Sequence, residues 1–345
     1  MTHLFTDFTD QFTGTSWAKF PGKYQHKENT LQLQLAYPYL THQDKLTQQI
    51  LDHCSKQGTA ITKIELTCAI QAHQTQATLA PLANIKNIIG ICANKGGVGK
   101  STIATNIALA LAQAGAEVGL VDTDLYGPNQ PQLLGIHQQA EIEQEQYIPI
   151  YHHNIHSMSM GYLVDKGTPL VWRGPMVSAY MLQLINKTKW PKLDYLIVDL
   201  PPGTGDIHLS LCQKIPLSGV CLINIPQQLS IDDCTKAIAM LDKMQIQKLG
   251  IISNMDGYEC THCQQHNSIF TEDIKAWARQ YNIPHLGSIP LHQDMATSAS
   301  TGKPIMCNNR HTLQKNFQRI AISLAAQLSQ QPLAQKSKFP KIVVE

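Results

Sequence analysis

The stretch Asn94-Lys95-Gly96-Gly97-Val98-Gly99-Lys100-Ser101-Thr102 decides the fold. It follows directly on the apolar run Ile88-Ile89-Gly90-Ile91-Cys92-Ala93. Gly99, Lys100 and Ser101 stand in register for the phosphate-loop spacing GxxxxGK[ST], with Asn94 where the first glycine is usual. A nucleotide phosphate needs several backbone N–H groups converging on it. Only a glycine-rich turn such as Gly96-Gly97-Val98-Gly99 brings the chain that close, and the following helix adds its positive end. Lys100 then reaches the β- and γ-phosphates, and the hydroxyl of Ser101, with Thr102 beside it, faces Mg²⁺. Lys95 is an additional cation at the loop's edge. It is poorly placed to serve its own nucleotide, which points to the nucleotide of another subunit.

From Ile88 onward the rhythm is strand, loop, helix. Apolar runs at Ile88–Ala93, Val118–Val121, Tyr195–Val198, Val220–Ile225, Leu249–Ile252 and Leu286–Ile289 predict a mostly parallel, doubly wound sheet, an α/β fold. Helices are expected at Ser101–Ala114, Ser178–Asn186, Asp232–Met244, Glu272–Tyr281 and Leu313–Gln327, the first stopped by Gly115. The Gln/His-rich stretch His137–His156 reads as a surface excursion of hairpin type. Residues 1–84 form a separate small α/β unit. Within it Leu31–Ala36 alternates with period two, Gln43–Lys56 is a helix closed by Gly58, and a second strand carries its apolar face on Ile64, Leu66, Cys68 and Ile70. A linker is expected at about 74–87, the phosphate-loop domain at 85–330, and a tail at 331–345.

A chain of 345 residues fits two domains. A net charge of +2 gives no ground for nucleic acid or an anionic membrane as partner. Met1–Phe20 lacks the basic start and apolar run of a secretory signal, and no stretch reaches the ~18–20 apolar residues of a membrane span. The expectation is a cytoplasmic protein that binds neither. Nine cysteines, an odd number scattered along the chain, fit free thiols in a reducing compartment. Cys54, Cys92, Cys212, Cys221 and Cys234 read as small core residues, Met158, Met160, Met176 and Met181 as packing, and Cys307 as exposed.

In an open α/β sheet the site lies at the carboxyl ends of the strands. Two apolar strands end there in acid: Val121-Asp122-Thr123-Asp124 and Val198-Asp199, the latter followed by Pro201-Pro202-Gly203-Thr204-Gly205-Asp206. Such an aspartate is the usual partner of a phosphate loop and holds Mg²⁺, often through water. Asp122 and Asp199 are assigned to the metal, and Asp124 to orienting the attacking water. Gly203 and Gly205 would let a loop follow the γ-phosphate. Glu259-Cys260-Thr261-His262-Cys263 is a second constellation. One CxxC pair supplies half of a four-thiolate site. His262 and His266 could complete a zinc site within one chain, or a two-fold axis could bring four cysteines together. Spacing alone leaves zinc, an iron–sulfur cluster and no metal open.

Taken in order, KGGVGKS (Lys95–Ser101), DTDLYGPN (Asp122–Asn129), MGYLV (Met160–Val164), VWRGPM (Val171–Met176), DLPPGTGD (Asp199–Asp206) and SNM followed by CTHC (Ser253–Met255, Cys260–Cys263) resemble the Mrp/ApbC family of iron–sulfur cluster carrier ATPases. That family lies in the deviant Walker A group with MinD, ParA and the nitrogenase iron protein. The resemblance spans roughly residues 85 to 330. It implies a homodimer with ATP and Mg²⁺ as cofactors, in which Lys95 reaches the partner's nucleotide and Asn254 contacts the adenine. Cys260 and Cys263 of each copy would share a [4Fe–4S] cluster that is handed to apoprotein acceptors, with scaffold proteins as further partners and weak ATPase activity changing the dimer. A MinD/ParA-type spatial-organisation ATPase and a zinc-stabilised nucleotide-binding module are the alternatives. The first would want a C-terminal amphipathic helix or a strongly basic face, and Ala334–Glu345 is short and contains Pro340. The sequence departs from the family at Asn94, at Asn129, where serine is common, and at Thr271-Glu272-Asp273, where glycines are usual.

Overall fold

The computed structural model describes residues 4–18, 22–76, 79–125, 127–164, 174–203, 206–260, 262–263, 265–308 and 312–334. A short hairpin of β1 (Thr9–Asp10) and β2 (Thr15–Ser16) is followed by β3 (Gly22–Lys27), β4 (Thr30–Leu35), α1 (Gln43–Lys56) and β5 (Lys63–Cys68). β3 runs antiparallel and β5 parallel to β4, so α1 is the crossover of a β-α-β unit. Leu31, Leu33 and Leu35 are buried on the alternate positions of β4, and Leu46, Ile50 and Cys54 face them from α1. Cys68, expected on the apolar face of β5, is exposed, because it ends an edge strand.

The larger layer contains β6 (Ile85–Cys92), α2 (Lys100–Gln113), β7 (Val118–Asp122), α3 (Gln130–Leu134), β8 (Ile142–Glu143), β9 (Gln146–Tyr147), β10 (Ile150–His152) and β11 (Ile155–Ser159). It continues with α4 (Gly174–Asn186), β12 (Leu193–Asp199), α5 (Asp206–Lys214), β13 (Gly219–Asn224), α6 (Gln228–Lys243), β14 (Lys248–Glu259), β15 (His266–Asn267), α7 (Ile274–Gln280), β16 (His285–Leu291), α8 (Gln293–Thr301) and α9 (Thr312–Ser329). The strands β11, β7, β12, β6, β13, β14 and β16 lie side by side in that order, all parallel. β10 and β15 add antiparallel strands to β11 and β14. The central strands are buried on both faces, and α2 is buried at every position from Ile103 to Leu111. Sheet and helix therefore read as near-continuous apolar runs.

Several boundaries differ from the sequence reading. β6 takes in Ile85–Asn87, so the linker read at about 74–87 ends at 84. Asn87 is a buried polar residue whose amide accepts from the backbone and Nδ1 of His73 and donates to the carbonyls of Gln71 and Asp194. No periodicity announces such a clasp. The start of the expected tail is also tied down: Gln74 N–H donates to Pro332 O and Ala334 N–H to Ala72 O, around a bridge between His73 and Leu333. Part of the His137–His156 excursion belongs to the core. β11 joins the main sheet through Ser157 and Ser159, which are buried because each finds a partner, Tyr162 Oη and Asp122 Oδ2 respectively. Met158, Met160 and Met181 are buried, whereas Met176 is exposed. Trp172, Arg173, Thr204, Gly205 and the tail beyond Ala334 lie outside the described residues.

α3 and α8 end against each other on Gly135 and Gly302, with φ of 68° and 66°. A Cβ on Gly135 would lie 2.5 Å from the Gly302 carbonyl oxygen. Gly135→Ala therefore combines left-handed strain with a backbone clash and is expected to cost about 2–4 kcal/mol, read as a lower denaturant midpoint.

Burial also disfavours the charged form of six histidines, His153 and His156 in the excursion and four others more deeply placed. His42, His73, His208 and His285 all have pKa values lowered from 6.5, in each case chiefly by desolvation. Their contribution to stability is complete above 6.5 and is lost as pH falls below it, because only the unfolded chain then takes up protons freely. The histidines are expected to lower the urea midpoint from about pH 7 toward about pH 5, opposed over the same range by Asp122, whose raised carboxyl favours the fold as it takes up a proton.

Candidate nucleotide site and cysteine hairpin

The loop between β6 and α2 turns on two left-handed glycines, Gly97 (φ 80°) and Gly99 (φ 84°), the latter capping α2. Space around Gly97 is open, but a Cβ on Gly99 would run into the amide of Asn254. That amide donates to Val98 O at 2.8 Å, so a residue of β14 holds the loop from the side. Asn94 is outside the set of left-handed residues, so the backbone needs no glycine there. Its side-chain amide instead donates to Asp233 O, tying the loop to α6.

A cavity of about 370 Å³ opens at the loop, lined by Lys95, Gly96, Gly97, Gly99, Lys100, Ser101 and Thr102 together with Asp124, Asn129 and Pro202. Gln132, Leu133 and Ala299 complete the wall from α3 and α8. Lys95 is exposed at its rim. Beneath the cavity the carboxylates of Asp122 and Asp199 sit side by side, because β7 and β12 place these residues in register. They are 2% and 0% exposed. Lys100 Nζ pairs with Asp199 Oδ1 and lies 3.4 Å from Ser101 Oγ. Asp122 accepts from Asp124 N–H at 3.0 Å, Gln130 N–H at 3.1 Å and Ser159 Oγ at 3.1 Å. Burial and, next, the neighbouring Asp199 push the Asp122 carboxyl up to about 7, against the pull of the Gln130 and Asp124 amides and of Lys100.

Two buried carboxylates share one lysine here. The donor set of carboxylate oxygens and the Ser101 hydroxyl is hard, which suits Mg²⁺ and its waters, and a divalent ion would relieve the excess negative charge. The glycine loop, open where a Cβ on Gly97 would point, suits the phosphates. The sequence-assigned residues Lys95 to Thr102, Asp122, Asp124, Asp199 and Asn254 thus converge on one place.

Gln130, Ser159 and Thr105 belong to the same cluster and were missed by sequence reasoning. A single glutamine in Pro128-Asn129-Gln130-Pro131 and a serine in a Ser/Met run carry no periodic signal.

Cys260 and Cys263 lie elsewhere, at the tip of the hairpin formed by β14 and β15. Cys260 N–H donates to Gln265 O at 3.0 Å, closing the turn. Cys260 is half-buried and Cys263 exposed. Backbone N–H groups of Cys263 and His262 hold the Cys260 thiol below its ordinary value, as a metal ligand requires. Among the described residues no three His, Cys, Asp or Glu side chains are grouped to hold a metal. Tyr258, Leu291 and Ile269 are exposed beside the hairpin, with Tyr258 and Leu291 paired across β14 and β16. No helix among the described residues is long and apolar enough to cross a membrane.

The parallel sheet, the glycine loop and the acidic strand ends beneath it define a P-loop NTPase. Solved structures agree. A nucleotide-binding protein from Archaeoglobus fulgidus, in complex with ADP, matches with a TM-score of 0.56 and 30% identity over 64% of this chain and 88% of that one. The cell division ATPase MinD of Pyrococcus furiosus shares the fold, with a TM-score of 0.51 at 18% identity over 70% of this chain and 98% of its own. The chain belongs to the NUBPL iron-transfer P-loop NTPases of the ParA group, whose family model matches residues 84–325. It is 44% identical over 251 residues to an iron–sulfur cluster carrier protein of Pseudomonas fragi, covering 72% of this chain and 88% of that protein. It is 37% identical over 311 residues to the iron–sulfur cluster carrier protein of Escherichia coli (strain K12), with 87% and 84% covered. It is also 38% identical over 271 residues to the iron–sulfur cluster transfer protein NUBPL of Dictyostelium discoideum, with 77% and 84% covered.

Proposed function

We propose that this protein carries an iron–sulfur cluster and delivers it to apoproteins, with ATP binding and slow hydrolysis governing the transfer. One observation carries the reading: a solvent-facing CxxC stands at the end of the strand whose Asn254 holds the nucleotide loop. The curated relatives are named for cluster carriage and transfer. The cargo is read as [4Fe–4S], held by Cys260 and Cys263 of two copies of the chain. A second copy supplies the two missing thiolates, and the exposed Tyr258, Leu291 and Ile269 give it an apolar seat. All nine cysteines are free, in keeping with a reducing cytoplasm.

Mg²⁺-ATP, when bound, supplies the phosphoryl group and the divalent charge. The loop amides of Gly96–Ser101 cradle the phosphates, and Lys100 leaves Asp199 to neutralise them. Ser101, Asp122 and Asp199 hold the metal with its waters. Asp124, at the cavity wall, orients the attacking water, and Lys95 reaches the partner's nucleotide. Asn254, whose amide donates to Val98 O, is read as the contact for the adenine. The arrangement uses positioning and charge, with no covalent step on the protein.

Anaerobic purification followed by iron, sulfide and zinc analysis per dimer, with and without nucleotide, tests the reading. Iron and sulfide with a broad visible absorbance are expected. Stoichiometric zinc with no cluster reconstitution would sink it.

A further inference from the structure

Gln130 is fully buried and bonds to both carboxylates and to the first turns of α2. Its Nε2 donates to Asp199 Oδ2 at 3.0 Å and to the Ser101 carbonyl at 3.1 Å. Its Oε1 accepts from Thr105 Oγ1 at 2.6 Å, and its backbone N–H donates to Asp122 Oδ2 at 3.1 Å. The partners fix the amide's orientation. Turned over, the oxygen would face a carboxylate and a carbonyl, and two acceptors cannot satisfy a third. One residue thus pins one oxygen of each buried carboxylate to the first turn of α2, which carries Lys100 and Ser101.

We infer that Gln130 is a positioning residue for the divalent ion: its side-chain amide holds the carboxylate of Asp199 in place, beside the Asp122 carboxylate held by its backbone N–H, once Lys100 has moved to the phosphates. The inference rests on the Mg²⁺-nucleotide reading above. In the nucleotide-free protein Asp199 has two partners, Lys100 on Oδ1 and Gln130 on Oδ2. Nucleotide binding takes the first away. The amide then keeps a buried carboxylate hydrogen-bonded and leaves Oδ1, vacated by Lys100, as its one free oxygen. Asp122 is limited in the same way, with Oδ2 on Gln130 and Ser159 and Oδ1 on Asp124 N–H. Gln130 makes no direct approach to the phosphates and is absent from the cavity lining. Its loss should therefore weaken the metal's hold and leave metal-free nucleotide binding alone.

The test is Gln130→Met, which keeps the length of the side chain and removes the amide. A fluorescent ATP analogue is titrated in EDTA and then with increasing Mg²⁺, alongside the Mg²⁺ dependence of hydrolysis. Affinity in EDTA should stay within about twofold. The half-saturating Mg²⁺ concentration should rise about tenfold, the order expected when one hydrogen bond to a charged group is lost. Thr105→Val, which removes the donor to the amide oxygen and loosens the Gln130 side chain, should shift Mg²⁺ dependence the same way by less, and serves where Gln130→Met fails to fold. Equal weakening with and without Mg²⁺, or no shift in either variant, overturns the inference while the nucleotide reading stands. Absence of Mg²⁺-dependent binding in the unaltered protein overturns both.

Discussion

Lys100→Ala is expected to abolish nucleotide turnover and, in the empty protein, to lower stability by about 3–5 kcal/mol, the cost of stranding a buried charge. The Lys100 side chain is 7% exposed and its partner Asp199 is 0% exposed, so water is a poor replacement for the lost cation. Asp122, also buried and in register beside Asp199, would share the uncompensated charge. An exposed ion pair such as Lys63–Glu65 would cost almost nothing by comparison. The double variant Lys100→Ala/Asp199→Asn should regain most of the stability and none of the turnover. Urea melts in nucleotide-free buffer, run beside a phosphate-release assay, separate the two effects. Cluster loading in Lys100→Ala should survive, because the cysteine hairpin lies apart from the loop, while delivery to an apoprotein should fall. Unchanged delivery would show that nucleotide and cargo are uncoupled.

Cys260→Ala and Cys263→Ala are each expected to remove essentially all cluster, not half of it. In a site shared across a two-fold axis, one substitution deletes two of four thiolates. The remaining pair cannot hold a cluster that needs all four. Iron and sulfide per chain should drop to background in either variant. Cys307→Ala removes an exposed thiol elsewhere and should keep the full content. A retained half-load in the single variants would argue against the shared site.

The strands that bury both faces were legible because they must be apolar throughout, as at Ile88–Ala93 and Val220–Ile225. The loop was legible because its chemistry tolerates few residue types. What stayed hidden was structure made by polar residues. α8 reads Gln-Asp-Met-Ala-Thr-Ser-Ala-Ser-Thr and buries only Ser298, so it shows no apolar stripe. α5 follows a Pro/Gly loop and α3 is five residues long; neither offers a periodic window. β14 was read as Leu249–Ile252 but runs to Glu259, since its polar second half pairs with β15 and β16. Gln130 was passed over for the same reason. A buried hydrogen-bonding hub is defined by partners from three other segments of the chain, and a sequence shows one segment at a time. Asn94 illustrates the converse. It departs from the family pattern at the loop, yet its amide has gained a partner on α6 where a glycine would have none.

The run from Asn254 to Cys260 has a consequence for timing. Six residues of extended chain span at most about 20 Å. Between them Met255 (φ 53°) and Gly257 (φ 72°) break the pairing with β16, so the hairpin is joined to the sheet by a short articulated piece of backbone. Motions of that kind are complete within about a microsecond, whereas phosphate-loop hydrolysis unaided by a second protein takes seconds or longer. On the proposed coupling, the cysteines would register the state of the loop long before that state changes again. On the same reading the pace of delivery is set at its two ends, by the chemistry of the nucleotide and by the departure of the acceptor, with no delay from the path between them.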